Sequence, residues 1–324
     1  MRAVVVHQPG GPEALTPVEL PDPVPGPGDV LVRTGAIGVN FKDVYEREGR
    51  TGATAPFVPG CEGAGTVVAT GPGVTSPAVG DRVAWWAAPA SYAELVVVRA
   101  GATVPVPDDI PDTDAAAVLL QGLTAHYLTT TTWPTRKGAT ALVHSAAGGL
   151  GAHLTRLLAA AGVRVIGTVS SPAKAAAATA AGAEEVVVRT QEDFAARARE
   201  LTGGHGVDVV FDGIGRDTFE AGLTCLARRA TFVLAGAASG PAPALDPQSL
   251  AAHGSVYLTR PTLVDHATDP AELRARAAEV FDWLRQGRLT LTIAAQHPLA
   301  DAAAAHTALQ SGLTTGKLLL LPSP

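Results

Sequence analysis

A glycine-rich turn between an apolar segment and an alanine-rich segment is the strongest candidate for a motif that does chemistry. The strand candidate Thr140–His144 runs into Ala146-Ala-Gly-Gly-Leu-Gly151, and a helix is predicted directly after it. Strand, turn and helix in this order are the context of the G-x-G-x-x-G dinucleotide fingerprint, here a variant with Ala146 at the first glycine position. The glycines let the backbone approach a pyrophosphate, and the helix N-terminus attracts the same anion. The motif therefore predicts a dinucleotide site.

The end of the second strand of such a unit decides which dinucleotide is bound. A site for NAD places Asp or Glu there to bind the ribose 2′-hydroxyl. The segment Gly167–Lys174 contains no acid, but it offers the Ser170 hydroxyl and the Lys174 ammonium, which favour a 2′-phosphate. Arg189, at the end of the third predicted strand, is a second candidate, although Lys174 and Arg189 could also be solvated surface charges. NADPH is the predicted cofactor.

The elements that position this motif repeat after residue 135 as apolar strand, glycine turn and alanine-rich helix, which is typical of a parallel sheet covered by helices. The predicted strands are Thr140–His144, Arg164–Thr168, Glu185–Val188, Val207–Asp212 and Ala230–Leu234. The predicted helices cover about 149–161, 172–181, 191–202 and 216–227. This part of the chain is expected to be a doubly wound α/β domain.

The segments on either side of the repeat have a different composition. Most of the 25 prolines lie at or before Pro111, whereas only Pro172 occurs between Pro134 and Pro241. Because proline fixes φ and removes a backbone donor, the N-terminal part is predicted to be β-rich, with short strands and turns. Its predicted elements are strands Ala3–His7, Asp29–Arg33, Gly65–Ala69, Asp81–Trp86 and Tyr92–Val98, with one short helix at Asn40–Arg47. Two helices, Ala271–Gln286 and Asp301–Gln310, and a strand, Leu318–Leu321, are predicted at the other end.

Charge and cysteine content exclude several classes of protein. The 324 residues include 24 Lys and Arg against 30 Asp and Glu, a formal net charge of −6, which disfavours nucleic acid as the main partner. Cys61 and Cys225 are too few for a disulfide framework, so a cytoplasmic location is expected. No export signal is expected from the short apolar run at the N-terminus. No membrane span is expected either, because no window reaches about 18 uninterrupted apolar residues.

Five short motifs carry a family resemblance. In chain order they are Asn40-Phe-Lys-Asp-Val-Tyr45, Gly80-Asp-Arg-Val83, Gln121-Gly-Leu-Thr-Ala125, Ala146-Ala-Gly-Gly-Leu-Gly151 and Gly213-Ile-Gly-Arg-Asp217. Together they resemble the zinc-free quinone oxidoreductases, the zeta-crystallin-like branch of the medium-chain dehydrogenase/reductases, over essentially the whole chain. The resemblance implies a GroES-like β-rich catalytic domain made of residues 1–120 and 260–324. It also implies a Rossmann domain at 121–259, NADPH as cofactor and a homodimer.

The resemblance also implies site residues by position. Tyr45, Asn40 and Arg260 are the catalytic candidates, which would orient the hydride acceptor and meet its developing negative charge. Tyr45 could instead be a core aromatic residue, and Arg260 could form a salt bridge between domains. The implied cofactor-binding residues are Asn40, Thr124, Ala147, Gly148, Gly149, Leu150, Ser170, Lys174, Arg189, Ile214, Gly236, Ala237 and Lys317.

A catalytic zinc, which many relatives in the wider superfamily contain, is not expected here. Such a site needs three protein ligands, usually Cys and His, and one open position. By resemblance, Asn40 stands where the first thiolate is needed and Cys61 where histidine is usual, and no Cys or His occurs from Asp112 to Leu123. Without a Lewis acid, alcohol oxidation loses its main source of catalysis, whereas a quinone or a carbonyl-conjugated alkene accepts hydride directly.

The predicted activity is therefore NADPH-dependent reduction of a small-molecule quinone or a similarly electron-poor acceptor. An enone or enoyl-thioester reductase is a close alternative, because it would share all the cofactor residues and differ only in the acceptor pocket. A protein that binds NADPH as a sensor without catalysis is the alternative from another class, since the same fold serves both purposes.

Overall fold

The computed structural model describes residues 1–322, which form fifteen strands and nine α-helices in that range. The strands are β1 Arg2–Val6, β2 Leu15–Glu19, β3 Asp29–Val39, β4 Glu62–Thr70, β5 Arg82–Trp85, β6 Leu95–Arg99, β7 Val104–Pro105, β8 Thr140–Val143, β9 Arg164–Val169, β10 Glu185–Val188, β11 Val207–Asp212, β12 Leu226–Leu234, β13 Tyr257–Thr259, β14 Ile293–Pro298 and β15 Lys317–Leu321. The helices are α1 Phe41–Arg47, α2 Asp112–Tyr127, α3 Gly149–Ala160, α4 Ala175–Ala180, α5 Phe194–Leu201, α6 Phe219–Thr224, α7 Ser249–Ala252, α8 Pro270–Arg285 and α9 Ala302–Gln310.

A β-rich unit consists of Met1–Leu123, Ala267–Leu284 and the described residues from Leu291 onward. Its seven-stranded sheet has the order β14-β15-β3-β4-β5-β7, and β6 also pairs with β3. The pairing of β15 with β3 is antiparallel and sets Leu318 opposite Val39, so the two distant ends of the chain share one sheet. Alternate residues are buried in the first part of β3, as expected for a strand with one face towards a core, whereas Lys317–Leu320 of β15 are buried one after another.

A second unit consists of Thr124–His266 and Arg285–Thr290. Its six strands are all parallel, in the order β10-β9-β8-β11-β12-β13. Numbered along the unit, this is the order 3-2-1-4-5-6 of a dinucleotide-binding Rossmann sheet. The strands are apolar on both faces because helices cover both, and buried residues such as Leu142, Ile166 and Phe232 form the core. In such sheets ligands bind at the carboxyl ends of the strands.

The predicted α/β fold class, with a GroES-like and a Rossmann part, is confirmed, and β10 and β11 have the predicted bounds. Six elements, β2, β7, α2, α7, β13 and β14, are absent from the prediction. Strand β14, Ile-Ala-Ala-Gln-His-Pro, has no alternation of apolar and polar residues and no fully buried residue, because it lies at a sheet edge. The predicted strand Tyr92–Val98 is wrong at its start, since β6 begins at Leu95 and the buried Tyr92 precedes it.

Within residues 1–322, the length and apolar character that a bilayer-crossing helix requires are not met by any helix.

Candidate functional site

The glycine turn after β8 is shaped for close backbone approach. Ser145 has a φ of 54°, and its carbonyl accepts a hydrogen bond of 2.8 Å from the Gly148 N–H, which closes the turn onto α3. A side chain at Gly151 would collide with the Ser145 carbonyl, which explains the glycine at this position. The first-turn N–H groups of α3, from Gly149 on, lack intrahelical acceptors and are a fit for a pyrophosphate. Ala147, Gly148, Gly149 and Leu150 all lie in this turn.

Two cations lie at the carboxyl ends of the neighbouring strands β9 and β10. The Arg189 N–H donates to the Val169 carbonyl, so Arg189 lies directly beside the start of the Ser170–Lys174 segment. Burial lowers the pKa of Lys174, and the positive charge of Arg189 lowers it further. Burial also lowers the pKa of Arg189, and its buried Nε has no hydrogen-bond partner among the described residues.

An anion in contact with both cations would relieve their repulsion and give the Arg189 Nε–H an acceptor. The carboxylates of Asp217 and Asp212 raise the pKa of Arg189, whereas burial lowers it. Neither carboxylate belongs to the Ser170–Lys174 segment. The structure thus fits a phosphate at this position, as expected for the 2′-phosphate of NADPH.

The loops after β11 and β12 are joined by hydrogen bonds. The buried Asp212 carboxylate accepts the N–H groups of Ile214 (2.7 Å) and Gly215 (3.1 Å), while the Gly236 N–H donates to the Asp212 carbonyl (3.1 Å). A side chain at Gly236 would lie 2.7 Å from the Gly213 carbonyl, so only glycine permits this approach. The predicted cofactor residues Ile214, Gly236 and Ala237 are therefore together at the same sheet edge as the glycine turn.

Two further predicted residues of this unit take no part in the hydrogen bonds between these loops. Thr124 is half-buried on α2. Arg260 is exposed directly after β13, where its guanidinium donates to the Pro261 carbonyl (2.9 Å). Arg260 belongs to the Rossmann unit, whereas the sequence analysis assigns it to the catalytic domain. Its catalytic role stays a prediction.

Asn40 in the β-rich unit is held by a buried polar cluster. Its Nδ2 donates to the Glu62 carboxylate (2.9 Å) and to the Gly38 carbonyl (3.2 Å), and its Oδ1 accepts from the Lys317 ammonium (2.7 Å). Lys317 also pairs with Glu62 (2.6 Å), whose other oxygen accepts the Leu120 N–H (2.6 Å). Both N–H groups of Asn40 are thus committed. Asn40 therefore has no free donor for a ligand, and its oxygen faces the Lys317 ammonium and, in the capping box of α1, the Asp43 backbone N–H.

A second buried cluster fixes the start of α1. The Asp43 carboxylate accepts the Asn40 backbone N–H (2.8 Å) and the Tyr92 hydroxyl (3.1 Å). The Tyr92 oxygen lies 2.9 Å from His306 Nε2, and Arg47 lies 3.2 Å from His306 Nδ1. Because a guanidinium only donates, Nδ1 is the acceptor and Nε2 carries the proton that is donated to Tyr92. Burial lowers the pKa of His306 to about 3 and raises that of Asp43 to about 6.

Tyr45 is half-buried and not a core aromatic residue. The Arg50 guanidinium lies 4.1 Å from its ring centroid, and the Phe41 ring centroid is 6.4 Å away. The cation over the ring restricts the orientation of the phenol. Tyr45 lies on α1 and Asn40 is the N-cap residue directly before it, so one short helix positions both predicted catalytic residues.

The residues around Asn40 do not fit a zinc ion. Cys61 is the single thiol there, its Sγ lies 3.6 Å from Asp43, and burial raises its pKa, which opposes the thiolate that a metal needs. Glu62 is committed to the Lys317 ammonium. No group of three or more His, Cys, Asp or Glu in residues 1–322 is arranged to hold a metal.

Sequence reasoning missed Asp43, Glu62 and Arg50 as parts of the site. Asp43 stands three residues after Asn40, the spacing at which an acid accepts the backbone N–H of a helix N-cap, and this signal was available. Glu62 gave no such signal, because its partners Asn40, Leu120 and Lys317 are distant in sequence. Arg50 is only five residues after Tyr45, but it lies beyond the end of α1, where no helical spacing places it over the ring.

Two family models match this chain, one in the β-rich N-terminal part and one that covers most of the Rossmann unit. Residues 26–108 match the family model described as alcohol dehydrogenase GroES-like domain, and residues 149–275 match the one described as zinc-binding dehydrogenase. A GroES-like unit with a Rossmann unit of this strand order defines a medium-chain dehydrogenase/reductase. Among curated proteins, the Quinone oxidoreductase of Pseudomonas aeruginosa is 44% identical over 97% of both chains. A Burkholderia 2-haloacrylate reductase is 38% identical over 99% of this chain and 98% of its own.

Two solved structures are similar to this chain over nearly its full length. A mycobacterial protein in complex with NADPH is 48% identical, with a TM-score of 0.96 over 99% of this chain and 100% of its own. The Escherichia coli quinone oxidoreductase in complex with NADPH is 36% identical, with a TM-score of 0.97 over 99% and 100%. The chain belongs to the quinone oxidoreductase family, as its five motifs predict.

Proposed function

We propose that the protein is an NADPH-dependent quinone oxidoreductase that uses no zinc. The observation that carries the proposal is the pair of cations, Lys174 and Arg189, at the carboxyl ends of β9 and β10, beside a Rossmann glycine turn with no acid after β9. NADPH, when bound, supplies the hydride. The relatives that bind NADPH or reduce quinones support the same assignment.

The Rossmann unit binds the dinucleotide. The first-turn N–H groups of α3 receive the pyrophosphate, and Lys174, Arg189 and the Ser170 hydroxyl receive the 2′-phosphate. The joined loops containing Ile214, Gly236 and Ala237 contribute backbone contacts further along the same sheet edge. Thr124 remains a candidate for the nicotinamide side.

The β-rich unit contributes the groups that orient the reactants. Hydride addition to one carbon of the quinone system leaves a negative charge on the conjugated oxygen, which takes up a proton. Transfer of one proton from the sp³ carbon to the second oxygen then restores the aromatic ring and gives the hydroquinone. Tyr45 has a hydroxyl donor for that oxygen, and the nearby Arg50 cation favours negative charge there. Asn40 has no free N–H, so it does not donate to the quinone. Proton transfer occurs from water or through Tyr45, and no paired acid and base are required.

Reduction of an alkene conjugated to a carboxyl or carbonyl group is the second candidate activity. The specific observation in its favour is the likeness to a 2-haloacrylate reductase, at 38% identity over nearly the full chain. Both activities need a hydride donor and a donor to a developing oxyanion, so the same residues serve either acceptor.

Steady-state NADPH oxidation with a panel of quinones and a matched panel of enones, acrylates and enoyl thioesters tests the proposal. We expect kcat/KM for the best quinone to exceed that for the best alkene by about tenfold or more. The reverse order would assign the alkene activity. Tight NADPH binding without turnover of either panel would assign a sensor.

The family resemblance also leads us to propose a cytoplasmic homodimer. Light scattering on the eluting protein is expected to give twice the chain mass of 32.8 kDa. A mass of one chain at micromolar concentration would contradict the dimer.

A further inference from the structure

Arg50 places a positive charge beside Tyr45, the predicted catalytic tyrosine. We propose that Arg50 is a specificity-determining residue, which makes the site prefer hydride acceptors that carry a carboxylate or sulfonate group. The inference rests on the function proposed above, in which the Tyr45 hydroxyl meets the acceptor. It adds the chemical class of that acceptor: an electron-poor quinone or alkene with a permanent negative charge.

Two contacts fix the position of Arg50. Its backbone N–H donates to the Tyr45 carbonyl at 2.9 Å, just beyond the end of α1. Its guanidinium carbon lies 4.1 Å from the centroid of the Tyr45 ring, within the range of about 6 Å at which an aromatic face attracts a cation. An acceptor that binds to the hydroxyl of this ring therefore meets the field of a cation that is already in place.

The carboxylate beside Arg50 is shared with other donors. Glu48 Oε2 lies 3.5 Å from the Arg50 guanidinium, which is a loose ion pair. Glu48 Oε1 accepts hydrogen bonds from the guanidinium of the buried Arg47 (3.2 Å) and from the Gln310 amide (3.1 Å). One carboxylate thus faces two guanidinium groups, so it neutralises only one of the two positive charges.

The two other carboxylates of α1 interact with groups other than Arg50. Asp43 is buried and accepts the hydrogen bond of the Tyr92 hydroxyl. Burial raises the pKa of Glu46, and the positive charge of Lys42 opposes this effect. Arg50 is therefore the cation of this segment whose charge an anionic acceptor could balance.

Arg50 acts on two negative charges at different stages of the reaction. The oxyanion develops only as the hydride is transferred, so its interaction with Arg50 affects kcat. A carboxylate or sulfonate on the acceptor is charged before the reaction begins, so its interaction with Arg50 affects KM as well. The change in KM therefore separates the proposed preference from a general stabilisation of the transition state.

The test compares two naphthoquinones, the anionic 1,4-naphthoquinone-2-sulfonate and the neutral 2-methyl-1,4-naphthoquinone. Their kcat and KM are measured with NADPH at low ionic strength, for the unaltered protein and for Arg50→Gln. We expect Arg50→Gln to raise the KM of the sulfonate by about three- to tenfold, the range for a partly exposed charge pair with a hydrogen bond. The KM of the neutral quinone should change by less than about twofold, and any loss of kcat should be common to both quinones.

Two further variants and the salt dependence show whether charge is the cause. Arg50→Lys keeps the charge, so its KM for the sulfonate should stay within about threefold of the original. Arg99→Gln is the matched control, because it removes an exposed guanidinium of the same unit that pairs with Asp29, and it should change neither KM. An increase in salt from about 0.01 M to about 0.15 M shortens the Debye length from about 30 Å to about 8 Å, and in the unaltered protein it should raise only the KM of the sulfonate.

A KM for the sulfonate that is unchanged in Arg50→Gln, or that changes only as much as the KM of the neutral quinone, would overturn the inference. A weaker affinity of Arg50→Gln for NADPH, measured without any acceptor, would also overturn it, because the cation would then bind a phosphate of the dinucleotide. If the unaltered protein reduces neither quinone with NADPH, the proposed function fails instead, so the two failures are distinguishable.

Discussion

Replacement of Arg189 by glutamine should convert an NADPH site into one that no longer distinguishes the two dinucleotides. Arg189 is half-buried beside Lys174, and its Nε–H has no acceptor within the described chain, so a bound phosphate gains a charge-assisted hydrogen bond without displacing another. Such bonds contribute about 1.5–3 kcal/mol, which corresponds to a roughly 10- to 150-fold change in the dissociation constant. NADH has no 2′-phosphate, so its affinity should change by less than about twofold.

Calorimetric titration with NADPH and NADH, for the unaltered protein and for Arg189→Gln, measures both affinities. Arg197→Gln is the matched control, because it makes the same charge change in the same unit at a half-exposed side chain that pairs with Glu200. Lys174→Glu goes further and should reverse the preference, since it sets a carboxylate where the phosphate binds. Unchanged NADPH affinity in Arg189→Gln, or equal weakening of both dinucleotides, would refute the assignment of this 2′-phosphate site.

Three further outcomes are expected. Tyr45→Phe should lower kcat for quinone reduction by about tenfold to a few hundredfold while NADPH affinity holds, because one donor to the oxyanion is lost. Exhaustive chelation should leave that activity intact, because the residues around Cys61 do not form a zinc site. His306→Gln should flatten the pH dependence of stability below pH 6.5. The imidazole of the folded protein has a pKa of about 3, so between pH 6.5 and pH 3 the proton binds to the unfolded state only. The free energy of unfolding therefore decreases as the pH is lowered through this range. Down to pH 5 the unaltered protein should lose about 2 kcal/mol more than the variant in urea unfolding.

Each of these outcomes has a contradicting result. An unchanged kcat in Tyr45→Phe would reduce Tyr45 to a packing residue, with Phe41→Leu as the control for disturbance of α1. Stoichiometric metal in elemental analysis, with activity lost on chelation, would contradict the metal-free mechanism. Parallel pH profiles for His306→Gln and the unaltered protein would show that the buried imidazole does not carry the predicted proton linkage.

The Rossmann half could be predicted closely because each of its signals is local. Strands such as Glu185–Val188 and Val207–Asp212 are short apolar runs ended by turn residues, and the glycine turn after β8 has a fixed place between strand and helix. The neighbourhood of Lys174 and Arg189 also follows from sequence once β9 and β10 are read as adjacent parallel strands. A local pattern and the sheet order are sufficient there.

The β-rich half could not be predicted to the same degree because its site depends on long-range pairing. Lys317 and Glu62 are 255 positions apart, and their contact exists because β15 and β4 both pair with β3. The sequence analysis places Lys317 among the cofactor contacts, and nothing in the residues near it indicates that its ammonium is buried against Glu62 and Asn40. Direct contact of Lys317 with the cofactor stays a prediction, and two of its three N–H groups are already used.

The most direct test of NADPH-dependent quinone reduction is a single turnover. Protein loaded with one equivalent of NADPH is mixed rapidly with 1,4-benzoquinone, and the loss of NADPH absorbance is followed against a control without protein. The account predicts that the bound NADPH is oxidised in one fast phase, that NADH under the same conditions reacts more slowly, and that a chelator changes neither rate. Bound NADPH that persists at the rate of the protein-free control, with quinone and with enone alike, would contradict it.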